Sequence, residues 1–429
     1  MRVLVQKFGG TSLHTREMRK HAIEHVREAT KEGYAVVVVV SAMGRKGDPY
    51  ATDTLISRAR EVAGEVPPRE LDLLLSCGET ISAAIFAAEL NASGIQASAL
   101  TGWQAGIETD DSFGDAQILR IRPQRILDLL SQGIVVVVTG FQGITDSGEV
   151  TTLGRGGSDT TAAALGVALG AEMVDIFTDV DGVMTADPRL VDEARRLDVV
   201  TYNEIFNLAY QGAKVVHPRA VEVVMAHNIP MRVRQTSSST AGTLITSVTE
   251  MDRGRIGPAR LVTGIAHTAH LVQVKVLLPQ ASLDDEEQEE RTRQALELEA
   301  AVFQRMASAG VSVDFINVNT LGTSFTIAEE DLSRAKAALE EIHAVLRIRS
   351  GCAKVSVVGA GMHGVPGVMA KIVTALTKTR IPILQSADSH TTIWCLVPQE
   401  RLQEAVVTLH DAFELGKSIT LTAAREAVS

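Results

Sequence analysis

Lys7-Phe8-Gly9-Gly10-Thr11-Ser12 places a cation and two residues without side chains at the end of an apolar run, Val3 to Phe8. Glycine lets an anion approach backbone N–H donors, and a lysine adds a point charge. The lysine precedes the glycines and GxxxxGK[ST] is absent, so this is not a Walker A loop. Alone, the hexapeptide reads equally as a phosphate cradle or as a Gly-Gly turn beside a solvated lysine. A second segment, Gly154-Arg155-Gly156-Gly157-Ser158-Asp159-Thr160-Thr161, feeds into a helix from Asp159. It gathers backbone donors, the positive end of a helix dipole and a bidentate cation, a set suited to a carboxylate or phosphate. N-capping accounts for Ser158 or Asp159 but not for an arginine among glycines.

In the third segment, Phe177 to Arg189, a strand ends at Thr178 and the chain turns through Asp179, Asp181, Gly182 and Pro188. Its DxDG spacing imitates a calcium loop but lacks the closing Glu, leaving a nucleotide-handling loop or an Asp/Gly/Pro turn. Glu79, in Ser76-Cys77-Gly78-Glu79, interrupts an apolar helix, and a carboxylate there needs a cation from the protein or from a substrate amine. His217-Pro218 and the other histidines show no HxxxH spacing and read as structural, so no metal site is expected.

These residues need elements to hold them. Val3 to Phe8, Tyr34 to Val40 and Ile134 to Thr139 are near-continuous apolar runs, as in parallel strands covered on both faces. Met18, Ala22, Val26 and Ala29 recur at helical spacing up to Gly33, residues 69–92 and 159–169 read as further helices, and Met173 to Thr178 as a strand. This α/β alternation implies a mainly parallel sheet over residues 1–245. The polar stretch 246–260 reads as a linker.

Beyond it lies an approximate repeat, offset by about 70 residues. Val302, Phe303 and Met306 align with Ile372, Val373 and Leu376, and Leu332, Ala335 and Leu339 with Leu402, Ala405 and Leu409. The copies occupy 261–345 and 346–429. An extra apolar strand, 262–266, is assigned to the sheet of the second copy, which interleaves the two.

Of 429 residues, 45% are hydrophobic and 22% charged, which excludes a disordered or collagen-like chain. The apolar runs fall short of the ~20 residues of a membrane span, and MRVLVQKFGG lacks the apolar core of a secretory signal. Cys77, Cys352 and Cys395 show no CxxC spacing, which fits a reducing compartment and a cytoplasmic location. A net charge of −11 with 4% aromatics disfavours nucleic acid, and no membrane partner is expected.

KFGGTS, VVVSAMG, SCGETIS, TLGRGGSDTTAAALG, FTDVDGVMTADPR and QGAKVVHPRA occur together and in this order, and the chain resembles the aspartate kinases over essentially its whole length. SAMGRKGDPYATD and PILQSADSHTTIW are most similar to the diaminopimelate-sensitive bacterial isozyme of that family. The resemblance implies an amino-acid-kinase (carbamate-kinase-like) α/β domain followed by two interleaved α+β ACT domains. It implies transfer of the ATP γ-phosphoryl group to the β-carboxylate of L-aspartate, with Mg2+ carried on ATP and no dedicated protein cage for it. By resemblance Lys7, Asp159 and Lys214 are catalytic. ATP meets Lys7, Phe8, Gly9, Gly10, Phe177, Thr178, Asp179, Val183, Met184, Thr185, Ala186, Asp187, Pro188, Arg189 and Lys214. Aspartate meets Ser41, Thr52, Glu79, Arg155, Gly156, Gly157 and Ser158.

The first ACT copy carries the acidic segment 281–293 where many relatives have an Asp-x-Pro-Gly turn, whereas the second keeps Gly361 to Gly367. An amino-acid effector, meso-diaminopimelate by resemblance, is therefore expected near His363, Val365, Pro366, Gln385, Ser386 and Asp388, at an interface between ACT modules of a homodimer. The rivals are a kinase of the same fold acting on another acid or on UMP, and a catalytically inactive amino-acid sensor. Retained Lys7, Arg155, Asp159 and Lys214 speak against the sensor.

Overall fold

The computed structural model describes residues 1–213, 215–247, 261–278, 286–319, 322–360, 362 and 364–417, with backbone alone for 286–291. Among these, one compact unit holds Met1–Met184 and continues from Arg195, and a second holds Thr185–Ala194 and the chain from Leu261.

The first unit runs β1 (Val3–Phe8), α1 (Gly10–Leu13), α2 (Arg16–Lys31), β2 (Ala35–Val40), α3 (Thr52–Ala63), α4 (Pro68–Ala92), β3 (Ala97–Leu100), β4 (Ile107–Thr109), β5 (Ile118–Ile121) and α5 (Gln124–Ser131). It continues with β6 (Val135–Thr139), β7 (Gln142–Ile144), β8 (Val150–Thr152), α6 (Gly157–Ala168), β9 (Met173–Thr178), β10 (Val199–Thr201), α7 (Tyr202–Tyr210), α8 (Pro218–Ala226), β11 (Met231–Gln235) and β12 (Thr243–Thr246). The main sheet is 8-stranded, ordered β10-β12-β11-β9-β1-β2-β6-β3. From β11 to β3 neighbours are parallel, and β12 is antiparallel to β11.

Burial on both faces explains the valine runs: Val36 to Val40 and Val135 to Val138 are all buried. The register pairs Phe8 with Val40 and with Phe177, so the chain leaves β1, β2 and β9 level at one edge. Gly9, Ser41 and Thr178 meet there. Glu108 of β4 pairs with Ile144 of β7 in a separate 4-stranded sheet, β5-β4-β7-β8, whose last strand leads into the Gly154–Gly157 loop.

Helix α4 is long and apolar enough to cross a membrane, which short apolar runs in the sequence did not reveal. Its Ala83, Phe86, Ala87 and Leu90 pack with Val36, Val38 and Val137 in the core. The helix is amphipathic by position, and its polar breaks Ser76, Glu79 and Ser82 lie on the buried side.

The second unit comprises β13 (Gly264–Leu277), α9 (Glu286–Ser308), β14 (Asp314–Asn319), β15 (Gly322–Ala328), α10 (Leu332–Leu339), β16 (Val345–Val358), α11 (Val368–Lys378), β17 (Gln385–Asp388), β18 (Thr392–Pro398) and α12 (Leu402–Ala412). Its 6-stranded sheet is antiparallel, ordered β14-β15-β13-β16-β18-β17. Strands β13 and β16 are each 14 residues long and pair along their whole length. Residues 264–268 pair with 354–358 and join the core of α11 and α12, while 273–277 pair with 345–349 and, through Val274 and Val276, join that of α9 and α10. The modules thus interleave through two shared strands. The closing strand of the first module, 345–349, has few apolar signals and was not recognised in the sequence, and a boundary at 345/346 falls at the start of that shared strand.

Thr185–Ala194, part of the catalytic stretch by sequence, sits in this second unit. Ala186 and Val191 are buried in one core with Val355, Val357, Ile372 and Leu409. Val191→Ala should cost about 2 kcal/mol, from two buried methyl groups. Hydrogen exchange should show the loss in 352–358 and α11 and not in β1 and β2. Exchange unchanged in 352–358 would contradict this packing.

Candidate active site

Lys7, the penultimate residue of β1, reaches Asp159 in the first turn of α6, with Nζ 2.6 Å from Oδ1. The other Asp159 oxygen accepts the His217 backbone N–H at 3.2 Å. Three segments distant in sequence therefore converge on one carboxylate. Above Lys7 the chain turns through Gly9 and Gly10. A Cβ on Gly10 would stand 2.5 Å from the Ala42 carbonyl oxygen and 2.9 Å from that of Gly44, so the loop closes only around glycine. Ser12 is buried beneath it and accepts a 2.6 Å hydrogen bond from Thr236.

Phe8 and Phe177 do not face this loop. Both rings are fully buried and stack with centroids 4.6 Å apart. What Phe177 turns toward the loop is its carbonyl, which accepts the Gly9 N–H at 3.4 Å. Period-two alternation along β1 sends Lys7 and Phe8 to opposite faces. Thr178 donates to Asp179 at 3.2 Å, and Asp179 pairs at 2.7 Å with Arg45, a residue the sequence reading passed over.

The Gly154–Gly157 loop begins α6 with Gly156 at φ 72°, and a Cβ there would fall 2.0 Å from Cγ of His217. His217 therefore packs on the loop with its ring and holds Asp159 with its backbone. It is a site residue that the search for metal spacing missed, and its proximity to Lys214 in the sequence was the available signal. Arg155 is exposed and has no ion-pair partner among the described residues. Ser158 is buried against Gly140, and Gly157 against Phe141. A second missed residue is Asp72 of α4, wholly buried, which accepts from Thr152 N–H (2.7 Å), Thr152 Oγ1 (2.8 Å) and Gly114 N–H (2.9 Å). It anchors β8 just ahead of the arginine loop. Its signal was an acid set between leucines, Leu71-Asp72-Leu73-Leu74-Leu75.

Glu79 is 2% exposed. Its Oε1 accepts the Ala42 N–H at 3.0 Å, next to Ser41, and Oε2 is buried with no hydrogen-bond partner among the described residues. Burial pushes its pKa up to about 8, against the pull of the Ala42 N–H. Among the described residues no cation pairs with it. Ser41 N–H donates to the Phe8 carbonyl at 3.1 Å, and Thr52 opens α3.

Val183 is buried, its N–H donating to Thr243 Oγ1 at 2.8 Å, and Met184 bridges to Arg196. Thr185 and Ala186 are buried in the second unit, where Asp187 pairs with Arg189 at 2.7 Å beside exposed Pro188. Lys214 and His363 lie outside the described residues, as do 281–285 of the acidic segment 281–293. Of the expected effector residues, Val365, Pro366, Ser386 and Asp388 are exposed. Gln385 instead turns inward: it donates to the Phe315 carbonyl and accepts from Gln273 at 2.9 Å. Its polar atoms join β17 to the first module.

The amino acid kinase family model matches residues 2–235, and an ACT domain model matches 347–411. Aspartokinase 1 of Bacillus subtilis is 51% identical over 417 residues, covering 97% of this chain and 100% of that protein. Aspartokinase of Geobacillus stearothermophilus is 40% identical, covering 97% and 98%. Among solved structures, Escherichia coli aspartokinase III in complex with aspartate and ADP matches with a TM-score of 0.75 at 26% identity, covering 96% of this chain and 99% of the other. The same enzyme in complex with lysine and aspartate gives 0.71 at 25% identity, again covering 96% and 99%.

Because Glu79 stays protonated in the folded chain up to about pH 8 while the unfolded carboxyl ionises near the ordinary 4.5, folding takes up a proton between these limits. Stability without ligand should therefore fall as pH rises through that window. Glu79→Gln should flatten the dependence, as read from denaturant midpoints at several pH values. An equal slope in both proteins would count against the buried, protonated acid.

Proposed function

The chain belongs to the aspartokinase family, and we propose that the Lys7–Asp159 cradle, with Glu79 and Arg155 beside it, is its aspartate kinase site. The enzyme transfers the γ-phosphoryl group of ATP to the β-carboxylate of L-aspartate. The product, 4-phospho-L-aspartate, starts the route to lysine, diaminopimelate, threonine and methionine. A β-carboxylate oxygen forms a bond to the γ-phosphorus as the bond to the ADP oxygen breaks. Both reactants are anions, so positioning and charge neutralisation carry the rate.

Lys7 neutralises the transferring group, Asp159 aims its ammonium, and Lys214 supplies a second cation. The backbone of Gly9 and Gly10 admits the phosphates, with Thr178, Asp179, Val183 and Met184 on the nucleotide side. Arg155 clamps the α-carboxylate beside Gly156, Gly157 and Ser158, and Glu79 receives the α-ammonium, with Ser41 and Thr52 lining the site. Among the described residues no cluster of three acidic, histidine or cysteine side chains could hold a metal. Mg2+ arriving on ATP would offset charge on the phosphate oxygens. The observation that carries the reading is the buried, unpartnered Glu79 Oε2 in the same unit as an unpaired Arg155 and the Lys7–Asp159 pair. Three free cysteines, two of them buried, support a cytoplasmic location.

The purified protein should form aspartyl hydroxamate with ATP, aspartate and hydroxylamine. Lys7→Ala should lower turnover roughly 10²–10³-fold in folded protein. Arg155→Ala should raise the KM for aspartate and leave ATP binding near wild type. Normal aspartate kinetics in that variant would remove the clamp assignment.

For regulation, the effector is meso-diaminopimelate, bound by the second ACT module around Val365, Pro366, Ser386 and Asp388 with His363. The chain dimerises through ACT sheet edges. Exposed Ile316 and Val318 on edge strand β14 support an edge contact. Meso-diaminopimelate should inhibit the hydroxamate assay where lysine and threonine do not. Isothermal titration should show weakened binding in Asp388→Ala, and unchanged affinity would move the effector elsewhere.

A further inference from the structure

The sheet face beside α2, over β1, β9 and β11, is charged where a parallel sheet is ordinarily apolar. Gln6, Asp175 and Arg232 lie side by side in register across these strands. With Arg234, with His25 and Glu28 of α2 and with Glu32 just after it they wall a cavity of about 190 Å³.

The pairing within it is incomplete. Asp175, fully buried, is held by two 2.8 Å hydrogen bonds from Arg232. Arg234 gives its Nε–H to the Thr240 carbonyl at 3.2 Å, but its Nη1 stays 3.8 Å from Asp175. Gln6 Oε1 and His25 Nδ1 are buried without a hydrogen-bond partner among the described residues. His25 Nε2 lies 2.9 Å from the Thr236 carbonyl, which only accepts, so Nε2 carries the proton and Nδ1 presents a lone pair. Glu28, 3.8 Å from Nδ1, is beyond hydrogen-bond range. Burial, aided by Arg234, lowers the pKa of this ring and keeps it neutral, although the Thr236 carbonyl pulls the other way. A buried acceptor left unpaired is costly, and a ligand with N–H donors would recover that cost.

We propose that this cavity binds a small free amino acid, its ammonium donating to Gln6 Oε1 and His25 Nδ1 and its carboxylate meeting Arg234. Glu28 and Glu32 oppose a plain anion, and Arg234 opposes a plain amine, so the mixed charge selects a zwitterion. A cavity of roughly 150 Å³ accommodates benzene; this one takes a ligand slightly larger. The site lies behind the phosphate cradle. The Phe177 ring is 4.4 Å from His25, and Thr236 connects His25 to Ser12. It is separate from Glu79 and Arg155 and from the ACT modules, and it does not rest on their assignment.

The test is a thermal-shift panel on the full chain with each protein amino acid and meso-diaminopimelate, and with phosphate and propylamine as single-function probes. At least one amino acid should raise the melting temperature of wild type and of Asp388→Ala, and that rise should vanish in Gln6→Leu and Arg234→Gln. Aspartate acting at the catalytic site would stabilise all four proteins alike. The proposal is overturned if no amino acid stabilises wild type, if every rise survives in both cavity variants, or if phosphate or propylamine gives the same variant-sensitive rise. Arg234→Gln, at the partly open wall, carries the test should Gln6→Leu fail to fold.

Discussion

Two unit charges 4 Å apart interact by about 4 kcal/mol in a surface-like dielectric, and the interaction on which the first unit's loops converge is of that kind, the pairing of Lys7 with Asp159 at 2.6 Å. The pair joins the carboxyl end of β1 to the first turn of α6 and, through the His217 N–H, to the segment before α8. Each side chain is 12% exposed, so losing one would strand the other charge in a poorly solvated place. The same interaction thus holds the cation at the phosphate position and closes the fold around it. Gly10 and Gly156 follow from it: both are places where backbone or an imidazole presses too close for a Cβ.

Glu79 obeys the opposite logic. It is buried in α4 with one oxygen on the Ala42 N–H and the other unpaired, and it is neutral at ordinary pH until a cation arrives. An ammonium placed against it would lower its pKa and recover the desolvation cost, so part of the binding free energy comes from a group strained by its own burial. Asp72, on the same helix, is equally buried but fully bonded, and it serves structure alone. Two carboxylates on one helix therefore differ in role by whether their acceptors are filled.

The sequence disclosed the parallel core because valine runs buried on both faces admit few other readings, and it disclosed the glycine loops because cations beside glycines are hard to explain as turns. The ACT repeat was visible in aligned apolar positions such as Val302 with Ile372 and Leu339 with Leu409, each buried in its own module core. Side-chain direction was less legible. Phe177 and Gln385 sit in stretches that resemble ligand-binding segments, yet strand alternation turns one ring into the core and one amide toward Phe315. The strand 345–349 escaped notice because Arg347 and Arg349 alternate with Leu346 and Ile348 on an open face. Residues 185–194 escaped for another reason: local pattern carries no information about which core a short apolar segment joins.

That last segment bears on how regulation can reach the nucleotide. Thr185 accepts the Ile265 N–H at 2.8 Å and bonds His410 at 3.0 Å, and Gln403 donates to the Leu190 carbonyl at 3.4 Å. Val183, two residues earlier, is fixed instead by Thr243 in the catalytic unit. The chain passes from Met184 of the first unit directly into Thr185 of the second. A ligand of that second unit alters Thr185–Ala194 only as far as its affinity differs between two arrangements of the segment. Tenfold inhibition requires about 1.4 kcal/mol, and one hydrogen bond contributes roughly 0.5–1.5 kcal/mol. A single contact the size of Thr185–His410, made in one arrangement and absent in the other, is therefore enough to transmit it.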